Sequence, residues 1–165
     1  MLVYLVRHAI AVDRDAHNGF DDASRGLTEK GIDRMRRNVR GLDHLGVRID
    51  EIWTSPLLRA RQTSELLAGS SHFHGTVRTV ASLSPGGDPV QVLRELQQAD
   101  KESVALVGHE PDMSELAGML LTGRSASFAV FKKGGVACIE VDKPGQPLRG
   151  VLRWHATPKI LRALH

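Results

Sequence analysis

Four side chains offer the most chemistry: Arg7 and His8 in LVRHA, Arg59 in TSPLLRARQT, and His109 in VGHEP. Planar guanidinium forks match the oxygens of a phosphate, and an imidazole exchanges a proton near neutral pH. Together such groups would hold an oxyanion and stabilise charge developing on it. Taken singly each has an ordinary reading, as a surface Arg, a satisfied His or the opening of a helix. Their placement relative to the surrounding elements sets them apart.

LVYLV at 2–6 reads as a buried strand. Thr28 is placed to cap a helix whose apolar residues Ile32, Met35, Val39, Leu42 and Leu45 recur at helical spacing. DEIWTS at 50–55 is a second strand. A helix is expected from Ser55 as N-cap and Pro56 as first residue, with Leu57, Leu58, Leu66 and Leu67 on its core face. VRTVASL at 77–83 is a third strand candidate, followed by the turn SPGGDP and a helix over 89–99. SVALVG at 103–108 is a strongly apolar strand, and Pro111 starts the helix after it. VACIEVD and GVLRWHA flank the Pro/Gly segment DKPGQPLR and predict an antiparallel hairpin, with TPKILRAL as a closing helix. Alternating strands and helices pair in parallel through right-handed crossovers. The expected fold is a three-layer α/β/α sandwich, one domain over 1–165, with a mostly parallel sheet and an antiparallel C-terminal edge.

In that fold Arg7 and His8 follow the first strand, Arg59 lies in the first turn after the second, and His109 follows the fourth. Open parallel sheets bind ligands at the carboxyl ends of their strands, where helix N-termini add partial positive charge. Three strand ends thus deliver two guanidiniums and two imidazoles to one edge, a pocket for an anion.

The ordered trio LVRHA, TSPLLRARQT and VGHEP resembles the histidine phosphatase superfamily, also called phosphoglycerate-mutase-like. The short chain, Ala9 where the mutases carry glycine, KKGGVA at 132–137 and RWHATPKILR at 153–162 are more similar to the SixA-type phosphohistidine phosphatases within it. The resemblance implies that His8 is the nucleophile and that Arg7, Arg59 and His109 form the phosphate pocket, with no metal or other cofactor. Arg61 falls at a variable position of the motif. The implied substrate is phosphohistidine on a signalling or phosphotransfer protein, and the alternative is a small phosphomonoester such as a sugar phosphate or nucleotide. Attack on phosphorus needs an unprotonated ring nitrogen, so the other nitrogen of His8 should donate to a backbone carbonyl or similar acceptor. Many members also use a carboxylate after the third strand to protonate the leaving oxygen. Asp88 is the nearest candidate, and the favoured reading is that it caps the helix at 89–99. A basic imidazole leaving group has less need of an acid, so a missing acid is consistent with the SixA-type reading.

Composition narrows the alternatives. The chain has 165 residues, 41% hydrophobic and 25% charged, with a net charge of +3. An aromatic content of 4% leaves little for stacking nucleic-acid bases, so no nucleic-acid partner is expected. Arg34, Arg36, Arg37 and Arg40 read as a solvated helix face. The apolar start MLVYLV has no basic n-region and is too short for a signal sequence, and no run reaches the roughly 18 apolar residues of a membrane span. A cytoplasmic protein without membrane association is expected. Cys138 reads as a buried, inert thiol. His17, His44, His72, His74, His155 and His165 show no ligand spacing, and Trp53 and Trp154 read as packing residues. Asp13, Asp15, Asp21 and Asp22 read as polar loop residues that could close over the site, and Arg25 as a possible helper in phosphate binding. Two rivals from other classes remain. A non-catalytic phosphate-binding module would share the arginines without needing a neutral His8. A zinc hydrolase would need about three protein ligands, and the two guanidiniums would repel its cation.

Overall fold

A computed structural model describes residues 1–13, 21–127, 129–142 and 149–164. The chain runs β1 (Leu2–Arg7), α1 (Glu29–His44), β2 (Ile49–Thr54), α2 (Leu58–Ala68), β3 (Phe73–Thr79), α3 (Pro89–Gln98), β4 (Ser103–Gly108), α4 (Asp112–Thr122), β5 (Val136–Asp142), β6 (Arg149–Ala156) and α5 (Pro158–Arg162), with short 3-10 turns at Asp22–Ser24 and Ala81–Leu83. Asp15, His17, His165 and the expected turn over 143–148 lie outside the described residues.

The sheet order is β3-β2-β4-β1-β5-β6. The first four strands are parallel, while β5 runs antiparallel to both β1 and β6, which gives the expected antiparallel edge. All six residues of β4 are buried, because helices cover both faces of the sheet centre. Side chains alternate across that centre. Tyr4, Val6, Ala105 and Val107 meet α1, α2 and α5 on one face. Val3, Leu5, Val104 and Leu106 meet α3 and α4 on the other. Truncating Leu106, which has no exposed surface, to Ala would cost about 2–5 kcal/mol.

Two expected boundaries move. The third strand begins at Phe73 and ends at Thr79, because it is an edge strand with a mostly exposed, polar surface. The apolar signal that suggested 77–83 comes partly from Val80 and Leu83, which are buried beyond the strand in and beside a 3-10 turn. The second helix begins at Leu58, two residues after Pro56, with Leu57 as a cap that makes no side-chain hydrogen bond. Its buried face is Arg59, Ala60, Thr63, Ser64 and Leu67 in place of the expected leucine face; Leu57, Leu58 and Leu66 are only half-buried. A helix that turns an Arg, a Thr and a Ser inward is built to position polar groups.

The sheet order explains why the motifs meet. Strand β4 sits between β2 and β1, so the carboxyl ends of β1, β4 and β2 are neighbours at the point where the winding reverses.

Candidate active site

The main chain at the end of β1 is held from two sides. The His8 N–H donates to the Gly108 carbonyl at 3.0 Å, and the Arg7 N–H to Gly135 at 3.2 Å. The Gly134 N–H donates to the Arg7 and His8 carbonyls at 3.0 and 3.1 Å. Gly134 has φ +82°, where a Cβ would be strained and would lie 2.9 Å from Asn38 Nδ2. Asn38 in turn donates to the Gly134 carbonyl at 3.1 Å. The main chain of Gly134 and Gly135 is therefore a clamp on Arg7 and His8.

His8 Nδ1 lies 2.7 Å from the Ala9 carbonyl. Only an N–H can satisfy that acceptor, so Nδ1 carries the proton and Nε2 keeps its lone pair. His8 is 7% exposed. Burial is the main reason its pKa is pushed down to about 3; the Ala9 hydrogen bond opposes this, and the charges of His109, Arg59 and Arg7 reinforce it. The Ala9 N–H donates to Thr63 Oγ1 at 3.0 Å, and Thr63 donates to the Arg59 carbonyl at 2.7 Å, tying the His8 loop to α2.

His109 stands beside His8, with ring centroids 5.1 Å apart. Its Nε2 lies 2.8 Å from Ser55 Oγ, and its buried Nδ1 has no hydrogen-bond partner among the described residues. Burial first, then Arg59, lowers its pKa to about 4, against an opposing contribution from Asp22. In the tautomer where the Ser55 hydroxyl donates to Nε2, neutral His109 carries its proton on Nδ1 and can donate it. Arg7 Nη1 donates to the Phe131 carbonyl at 2.6 Å. Arg59, 3% exposed, donates from Nη1 to the Asp22 carbonyl at 2.8 Å and from Nη2 to Asp22 Oδ2 at 3.0 Å. This edge therefore gathers a neutral, oriented imidazole, a second neutral imidazole and two guanidiniums, a set suited to receiving a phosphoryl group.

Residues 3–84 match the family described as "Histidine phosphatase superfamily (branch 1)". An uncharacterized protein of Picosynechococcus sp. is 36% identical over 139 residues, 82% of each chain. The chain belongs to the histidine phosphatase superfamily. Phosphohistidine phosphatase SixA of Escherichia coli (strain K12) is 29% identical over 165 residues, 98% of this chain and 97% of its own. The structure of the protein histidine phosphatase SixA complexed with tungstate superposes with a TM-score of 0.85 at 27% identity, covering 96% of this chain and 98% of that one. The α-ribazole phosphatase from Shigella flexneri shares the fold, with a TM-score of 0.75 at 16% identity over 96% of this chain and 97% of that one.

Other residues of this histidine phosphatase surround the site, Asp88 and Cys138 in their expected roles and several more in roles the sequence did not suggest. Asp22 is more than a polar loop residue: it bridges Arg59 and Arg25, accepting from Arg25 Nε at 2.9 Å. Burial would raise its pKa, but Arg25 and Arg59 hold it down at about 2. Arg25 also donates to the Val12 carbonyl at 2.5 Å. Asp21 caps the adjacent 3-10 turn. Ser55 Oγ contacts His109 and also accepts from the Leu57 N–H at 3.3 Å, the bond expected of a helix cap. Glu110 accepts from the Phe131 N–H at 2.8 Å and from the Ser114 hydroxyl at 2.8 Å, fixing the segment whose carbonyl holds Arg7. Asp88 accepts from the Val90 and Gln91 N–H groups at 2.9 and 3.2 Å, the cap of α3. Cys138 is buried, and burial above all pushes its thiol up to about 11. Among the described residues no three His, Cys, Asp or Glu side chains form a metal-ligand group, and no helix is long and apolar enough to cross a membrane.

Proposed function

We propose that this protein hydrolyses phosphohistidine on a signalling or phosphotransfer protein through a phosphoenzyme at His8, without a metal. The observation that carries the chemistry is the hydrogen bond from His8 Nδ1 to the Ala9 carbonyl, which reserves Nε2 for attack beside Arg7, Arg59 and His109. The Nε2 lone pair forms the new N–P bond, and the P–N bond of the substrate breaks toward the leaving imidazole, which takes a proton from solvent. The two guanidiniums and the His109 N–H bind the equatorial oxygens as charge spreads over them. Water then attacks phosphorus, the bonding pair returns to Nε2, and the water's surplus proton passes to solvent.

The substrate reading draws on the SixA likeness and on Asp88, whose carboxylate is engaged in capping α3. A P–N bond leaves as a basic nitrogen, so the reaction proceeds without a dedicated acid. The test is phosphate release from a phosphohistidine protein beside a panel of sugar phosphates and nucleotides, with and without EDTA. Rapid quenching should trap an acid-labile, alkali-stable phosphoenzyme that folded His8→Ala lacks along with turnover. Normal turnover by His8→Ala, or loss with EDTA that added metal restores, overturns the mechanism. Preferred cleavage of a sugar phosphate overturns the substrate assignment.

A further inference from the structure

A groove of about 610 Å³ opens beside the phosphoryl site, sharing Arg7 with it. Its floor is apolar, with Ile10, Met35 and Pro158, and its walls carry Arg34 from α1, Lys132 and Lys133 from the turn before β5, and Lys159 and Arg162 from α5. Among the described residues no Asp or Glu lines it. Arg34, Lys132, Lys133 and Lys159 make no ion pair with a described carboxylate; the nearby Asp33 is paired with Arg37. Arg162 is held by Asn38 Oδ1 at 3.1 Å, and burial together with Arg34 and Arg37 disfavours its charge. Like charges gathered from separate elements repel one another, and a complementary anionic partner relieves that repulsion.

We infer that this groove docks an acidic polypeptide segment flanking the phosphorylated histidine of the substrate protein, so that binding there presents the phosphoryl group to His8. The inference rests on the protein-substrate reading above. The cations are spread over several elements instead of converging on one point, which suits a run of carboxylates better than a single phosphate. Among the described residues the lining holds no Phe, Tyr or Trp on which a nucleotide base could stack. The apolar floor receives the aliphatic parts of peptide side chains.

The test uses two phosphohistidine peptides made with phosphoramidate, identical except for flanks of Glu or Gln, beside p-nitrophenyl phosphate. The wild type should hydrolyse the Glu-flanked peptide with a kcat/KM on the order of tenfold higher, mostly through KM. Combining Arg34→Glu, Lys132→Glu and Lys159→Glu should remove that preference and keep p-nitrophenyl phosphate turnover within about twofold. Equal kcat/KM for the two peptides in the wild type, or a preference that survives charge reversal, overturns the docking site. Fluorescence anisotropy with the unphosphorylated Glu-rich peptide reads the groove independently of turnover. Binding that the triple variant abolishes supports the groove even if neither peptide is hydrolysed, in which case only the substrate reading fails. No binding, or displacement by ATP well below the peptide's own dissociation constant, overturns the assignment.

Discussion

A neutral histidine buried among cations should make the fold acid-sensitive in a way that one substitution isolates. His8 titrates near about 3 in the native state, driven down chiefly by burial, and near about 6.5 in an unfolded chain. The group's native pKa is depressed, so its contribution to stability is intact above about pH 6.5 and is lost as pH falls toward about 3. At about pH 4.5 the unfolded state binds a proton that the native state refuses, across about two pH units. That is worth about 2.7 kcal/mol of stability. His8→Asn removes the titration while its amide can still donate to the Ala9 carbonyl. Urea unfolding of both proteins at about pH 7.5 and about pH 4.5 should show the stability gap shifting by about 2.7 kcal/mol in favour of His8→Asn at the lower pH. His109 is present in both proteins and cancels. Buffers must exclude phosphate and sulfate, because an anion beside His8 would stabilise its protonated form. Parallel pH dependence of the two proteins would mean that native His8 accepts a proton readily, and the case for a permanently neutral nucleophile would fall.

Arg59→Lys keeps the charge but loses the fork that donates twice to Asp22, so kcat should fall along with kcat/KM, on the order of tenfold or more; wild-type kinetics would remove Arg59 from the pocket. Asp88→Asn should leave phosphohistidine hydrolysis within a few-fold of wild type, since the side chain caps α3; a loss of about a hundredfold would make Asp88 a general acid and a sugar phosphate the better substrate.

The elements legible in the sequence were those decided locally. β1 and β4 are unbroken apolar runs because both faces are covered, and the N-caps Thr28 and Asp88 hydrogen-bond within their own first turns. β3 was misplaced because an edge strand needs no apolar face, and Val80 and Leu83 carried the signal past its end. The helix α2 starts two residues later than expected although Ser55 Oγ accepts from the Leu57 N–H as a cap does; the further contact of that hydroxyl with His109, 54 residues away, is one no local rule contains. The same limit hid Asp22, Thr63, Glu110 and Gly134, whose importance lies in partners across the fold. Glu110 and Thr63 do stand inside VGHEP and TSPLLRARQT, so the motifs marked their neighbourhood without giving their roles.

The site also divides charge between residue types in a way that follows from burial. Desolvation disfavours every charged group here, yet the groups respond differently. An Arg starts so far above neutrality that lowering its pKa leaves it charged, as at Arg7, where burial is only partly offset by Glu110. A His starts at the edge of neutrality, so the same burial discharges it, as at His8 and His109. The guanidiniums press the imidazoles further toward neutrality by repulsion. In the proposed reaction, one field therefore keeps Nε2 of His8 unprotonated and then stabilises the phosphoryl group that Nε2 receives. Replacing either Arg with a neutral residue should accordingly raise the pKa of His8 as well as weaken phosphate binding. A loss of affinity with no change in the His8 titration would separate the two effects and refute the coupling.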